Sequence, residues 1–135
     1  MNENDITEQV IGAAVEVHKA LGPGLLESIY QRCMEVELGL RDVPFKEQRP
    51  VHLQYKGHEV GADLLIDLLV GNKVVVELKA VDSLLPVHEA QLLTYLRLTG
   101  MHVGLLINFN VPVLKQGVRR MVNQYNDSAP RRLSG

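Results

Sequence analysis

Apolar and polar positions alternate with two different periods along the chain. In "ITEQVIGAAVEVHKAL", Ile6, Val10, Ala13 or Ala14, Val17 and Leu21 recur at helical spacing. "GPG" at 22–24 ends that helix, and the run "LLESIYQRCMEVELGL" starts a second, with Leu26, Ile29, Cys33 and Val36 as its apolar positions. The period then drops to two. "RPVHLQYKG" alternates Val51, Leu53 and Tyr55 and turns at Lys56-Gly57. "ADLLIDLLV" and "KVVVELKAV" flank Gly71-Asn72 and read as a β-hairpin. "PVHEAQLLTYLRLTG" returns to the helical period, with Pro86 near its start and Gly100 at its end. "MHVGLLINF" is a short buried strand, parallel to a neighbour because a helix leads into it. "VLKQGVRRMVNQY" reads as a last amphipathic helix, and "NDSAPRRLSG" (126–135) as a loose tail. The order α-α-β-β-β-α-β-α predicts one α/β domain, residues 1–125, with a mixed β-sheet flanked by helices.

Composition narrows the class. A chain of 135 residues, 46% apolar and 22% charged, suits one globular core. Its single cysteine, Cys33, excludes an internal disulfide and suits a reducing, cytoplasmic setting. No apolar run approaches the ~20 residues of a membrane span, and the polar start "MNENDITEQ" does not resemble a signal peptide. Net charge is −2, yet residues 113–135 hold Lys115, Arg119, Arg120, Arg131 and Arg132 against Asp127 alone. That basic end suits either nucleic acid or a solvated face and tail. The histidines show no metal-ligand spacing, which argues against zinc.

The chemistry concentrates in the hairpin. A turn centred on Asn72 pairs residues whose numbers sum to 144, so Asp67 falls opposite Glu77 and Leu65 opposite Lys79. Asp67, Glu77 and Lys79 then share one face of the sheet. Opposed carboxylates repel, and a divalent cation with oxygen preference, Mg²⁺ or Mn²⁺, relieves them. The alternative is an edge-strand charge cluster paired across solvent. On the following helix His88, Gln91 and Tyr95 form one polar stripe, fit either to line a cleft over the sheet or simply to be wet.

These residues resemble a known family. Asp67, then Glu77-Leu78-Lys79 on the next strand, is similar to the PD-(D/E)XK nuclease signature. Gln91 and Tyr95 resemble the Q-x-x-x-Y helix motif of the exonuclease branch. Gly24, Glu27 and Tyr30 match the motif of the bacterial GxxExxY proteins within that superfamily. The resemblance implies a restriction-endonuclease-like αβββαβ core and a metal-dependent nuclease acting on DNA or RNA. It implies Asp67, Glu77 and the Leu78 carbonyl as ligands of Mg²⁺ (or Mn²⁺), and Lys79 as the catalytic lysine. Glu27 becomes an additional catalytic acid, while Gln91, Tyr95 and Tyr30 support the site or touch substrate. Glu27 and Tyr30 also have plainer readings, as a helix-dipole partner and a hydrogen-bonded core tyrosine. Asp63, four residues before Asp67, is the runner-up ligand should the register shift; Ile66 stands where the signature has proline. The rival expectation is a catalytically silent module of the same fold that binds nucleic acid or a protein. A small domain could also enlarge its groove as a homodimer.

Overall fold

A computed structural model describes residues 1–123, with the side chains of Ala62 and Asp63 outside the described set. The elements are α1 (Glu3–Leu21), α2 (Glu27–Leu40), β1 (Phe45–Tyr55), β2 (His58–Val70), β3 (Val74–Lys79), α3 (Pro86–Thr99), β4 (Val103–Asn108) and β5 (Val118–Val122). Among the described residues the five strands form one sheet in the order β1-β2-β3-β4-β5. Only the β3–β4 pair is parallel, bridged by α3; the others are antiparallel. The sheet is therefore mixed, as the sequence predicts. No helix among the described residues is long and apolar enough to cross a membrane.

Two apolar layers clasp the sheet. Val74, Val76 and Leu78 of β3 and Val103, Leu105 and Ile107 of β4 pack with α1 and α2. Val75 and Leu106 pack on the opposite face with Leu92, Tyr95 and Leu96 of α3. β3 and β4 are covered on both faces, which is why their sequences read as nearly unbroken apolar runs. Tyr30 stacks on Phe109 with ring centroids 4.4 Å apart and planes 5° from parallel. A buried aromatic pair of this kind adds about 0.5–1.5 kcal/mol beyond its area.

Two expectations about helices are corrected. α2 begins at Glu27 and buries Tyr30, Met34 and Leu38, an i, i+4, i+8 stripe. Leu26 and Val36 are exposed, at 73% and 63%. The stripe chosen from sequence was one face too far round, because Cys33 and Ile29 border the buried stripe and Tyr30 was not counted among the apolar positions. The last helix is absent. Leu114–Gly117 is a single 3₁₀ turn, and Val118–Val122 is an edge strand paired to β4. Gly117 breaks the helical pattern: a Cβ there would lie 2.1 Å from the Asn108 carbonyl oxygen. Beyond it the chain alternates, with Val118, Arg120 and Val122 on one side and Arg119 and Met121 on the other, the period of a strand. The expected domain limit at 125 and the tail 126–135 lie outside the described residues.

The hairpin register agrees with the sequence over three rungs, Leu68↔Val76, Leu69↔Val75 and Val70↔Val74. Its turn needs positive φ at Gly71 (60°) and Asn72 (58°), as tight two-strand turns do. Past Leu68 the strands part, and the expected pairings of Asp67 with Glu77 and of Leu65 with Lys79 do not form. The face of β2 also changes there. Leu64 and Ile66 belong to the α3 side, whereas Leu68 and Val70 belong to the α1/α2 side. β1 turns with it: its pairing skips from Glu47↔Leu68 to Arg49↔Ile66, and Gln48, between them, has φ 47°. The two strands keep register and rotate together about Gln48 and Asp67.

Candidate active site

Where the β2–β3 ladder stops, two carboxylates replace its rungs. The Asp67 N–H donates to Glu77 Oε2 at 2.9 Å, and the Leu78 N–H donates to Asp67 Oδ2 at 2.8 Å. Each acid thus takes an amide of the opposing strand through one oxygen, and the two carboxyl groups also hydrogen-bond to each other. The Lys79 carbonyl faces β4, where it accepts the Phe109 N–H at 2.9 Å. Successive residues of a strand direct their backbone groups to opposite sides, so Leu78 turns toward β2. Its N–H meets Asp67 there, and its carbonyl opens on the same gap.

The electrostatics follow from this crowding. Glu77 is 4% exposed. Burial, and then the Asp67 charge, push its carboxyl up to about 9, against the opposing pull of the Asp67 N–H and Lys79. Glu27, first residue of α2, is exposed as a residue, yet its carboxyl is raised by desolvation and by Asp67 and lowered by Lys79. It therefore senses both groups. Burial raises the Tyr95 hydroxyl, and the Glu77 and Asp67 charges raise it further, so α3 holds it within electrostatic reach of the acids.

The loop before Glu27 is tied down by Tyr30. Its hydroxyl donates to the Gly22 carbonyl at 2.5 Å and accepts the Leu25 N–H at 3.2 Å. With no exposed surface, Tyr30 is a core residue that shapes the entry to α2, the plainer of its two readings. Gln91 is half-buried on α3. His88 departs from the expected stripe: its Nδ1 accepts the Leu85 N–H at 2.9 Å and closes the first turn of α3. The side chain of Asp63 lies outside the described residues.

Two site-building residues escaped the sequence reading. Gln31 Nε2 donates to the Asp67 carbonyl and to Glu35 Oε2, both at 2.9 Å, holding β2 where it turns over. Its signal was available, since it stands four residues after Glu27 on the same helical face. Asn108, 2% exposed and paired with Lys79 across the parallel ladder, grips the exit of β3. It donates to the Val81 carbonyl at 2.9 Å and accepts the Val81 N–H at 3.0 Å. A buried amide closing the apolar run "VGLLI" was its signal.

Among the described residues no three His, Cys, Asp or Glu side chains gather as a metal-holding group. The set is smaller: two carboxyl groups hydrogen-bonded to each other and one backbone carbonyl, with Glu27 standing off. This fits a hard cation that keeps several waters, as Mg²⁺ does. The raised Glu77 fits too, because the pair lacks enough positive charge to ionise fully by itself.

A small α/β domain with paired acids and a lysine at the parting of two strands is a nuclease-type fold. Residues 4–121 match the family model of the PD-(D/E)XK nuclease superfamily, and the chain belongs to that superfamily. No curated protein and no solved structure matches it significantly.

Proposed function

We propose that this protein is a metal-dependent nuclease that hydrolyses phosphodiester bonds of DNA or RNA. The observation that carries the reading is the reciprocal exchange of amides between Asp67 and Glu77, which brings two carboxyl groups together in one crowded gap. Asp67, Glu77 and the Leu78 carbonyl would hold Mg²⁺ or Mn²⁺. When bound, such a cation supplies Lewis-acid activation of water and phosphate.

The chain's own groups supply the rest. Lys79, two residues past Glu77 on β3, orients the attacking water and meets negative charge that grows on the phosphate. Glu27, at the start of α2 and within electrostatic reach of Lys79 and Asp67, would accept a proton or steady a cation's water. Tyr95 offers its hydroxyl as a donor to the acids or to a substrate oxygen, with Gln91 one turn before it. Gly24, Glu27 and Tyr30 are consistent with the GxxExxY group, and the motif has a structural sense: Tyr30 fixes the loop that presents Glu27.

Lys79→Ala tests the assignment. The expected result is a loss of cleavage of about 10²–10³-fold, the scale of one preorganised donor. Nucleic-acid affinity should stay within about tenfold, because one phosphate contact is a small, salt-screened contribution. The net charge of −2 favours a second reading, a silent module of the same fold. Wild type that binds nucleic acid but cuts neither DNA nor RNA with Mg²⁺ or Mn²⁺ would establish it.

A further inference from the structure

Beyond Ile66 the β1–β2 ribbon leaves the rest of the sheet, since β2 pairs with β3 only at Leu68–Val70. The root of the ribbon rests on α3 through Val51, Leu64 and Ile66. Its outer part ends in the Lys56-Gly57 turn, where Tyr55 pairs with His58. Exposed apolar surface collects on this ribbon: Leu53 at 36%, Tyr55 at 63%, Val60 at 54% and Leu65 at 44%. Leu26 (73%), next to Glu27 in the chain, and Val87 (63%), at the start of α3, are exposed as well. Residues 45–66 carry Lys46, Arg49 and Lys56 against Glu47, Glu59 and Asp63, so the ribbon has no net formal charge.

A duplex presents phosphates outward, and proteins hold it mainly by neutralising them. The ribbon carries no net positive charge, so phosphate contacts alone would hold neither a duplex nor a single strand there. An unpaired strand exposes the faces of its bases, which stack on aromatic side chains whatever their sequence. Tyr55 is such a face. The Lys56 ammonium lies 5.3 Å from its ring centroid, so one base and one phosphate could be met together. From His58 to Asp67 the strand runs about 30 Å, at ~3.3 Å per residue. At the ~3.4 Å spacing of stacked nucleotides, that is a track of about nine.

We propose that the β1–β2 ribbon is a binding track for single-stranded nucleic acid, with Tyr55 stacking on a base about 30 Å from Asp67. This rests on the nuclease reading and names its substrate as an unpaired strand. The test is fluorescence anisotropy in EDTA, which separates binding from cleavage, with labelled dT12, dT3 and a 12-base-pair duplex as probes. Wild type should bind dT12 at least tenfold more tightly than the duplex. Tyr55→Ala should weaken dT12 about tenfold, the scale of one lost base–aromatic stack. Tyr55→Phe, which keeps the ring, should stay within twofold of wild type. Neither variant should alter dT3, which is too short to reach from Asp67 to the turn. Duplex binding stronger than dT12, or dT12 binding unmoved in Tyr55→Ala, overturns the track while leaving the nuclease reading intact. The apolar rim would then belong to a protein contact. Equal losses in Tyr55→Ala and Tyr55→Phe overturn the stacking role. Wild type that binds none of the probes in EDTA overturns the track; the nuclease reading is tested separately, by cleavage with Mg²⁺ or Mn²⁺.

Discussion

At the scale of the residue, Glu77 sets how the protein responds to pH. Its folded carboxyl titrates near 9 against 4.5 for the ordinary group. Between those values the folded protein holds a proton that the unfolded chain releases. Without a divalent cation, the stabilisation from protonated Glu77 is fully present below about pH 4.5 and is lost as pH rises through about 9. Urea unfolding of wild type and Glu77→Gln in EDTA at pH 5, 7 and 9 checks this. The variant should lose ground to wild type at pH 5 and gain on it steadily toward pH 9. A stability difference that does not change with pH would show that the carboxyl is not perturbed. That Asp67 and Glu77 come together was legible in the sequence, because the Asn72 turn folds their strands onto each other. Their contacts were not. Simple extrapolation of the ladder predicts backbone rungs at Asp67, and only the turnover of β2 converts those rungs into side-chain bonds.

At the scale of the element, the part misread as a helix has its own test. Gly117 sits where any side chain would strike the Asn108 carbonyl, and Asn108 holds Val81 just past Lys79. Gly117→Ala should cost about 1–3 kcal/mol of stability, as overpacking does. Thermal unfolding would register this as a lowered melting temperature. A helix spanning Gly117 would instead gain from the substitution, since alanine is the better helix former by roughly 1 kcal/mol. The sign of the change therefore separates strand from helix. The sequence misled because "VLKQGVRRMV" carries charges at intervals that suit either period, and nothing local reveals that β4 needs an antiparallel partner. α2 shows a milder version of the same problem. Its start shortly after "GPG" was legible, but its buried face depended on Tyr30, whose hydroxyl hid how fully it packs.

At the scale of the whole molecule, cation binding and folding are linked. If Asp67, Glu77 and the Leu78 carbonyl hold Mn²⁺, a concentration 100-fold above Kd should stabilise the fold by about 2.7 kcal/mol. Glu77→Gln should lose that gain. Equal Mn²⁺ stabilisation of both proteins would remove the site. The mixed sheet and its flanking helices were legible because the helix between β3 and β4 forces a parallel crossover. The α1/α2 layer takes Leu68 and Val70 of β2 while the α3 layer takes Leu64 and Ile66, so the joint rotation at Gln48 and Asp67 is a property of three layers at once. No short window of sequence contains it.

The exchanged amides of Asp67 and Leu78 have a spectroscopic consequence. Amide protons bonded to carboxylates resonate differently from those bonded to carbonyls, and they respond when the acceptor gains a proton or a cation. Val75 and Val76, within the regular ladder, lack that sensitivity. In ¹H–¹⁵N spectra the Asp67 amide should therefore follow the titration of Glu77, and the Leu78 amide should report on Asp67. Both should shift with Mg²⁺ while the two valines stay nearly still. Two backbone signals would then give separate readings of the two acids, without a substrate and without waiting for turnover.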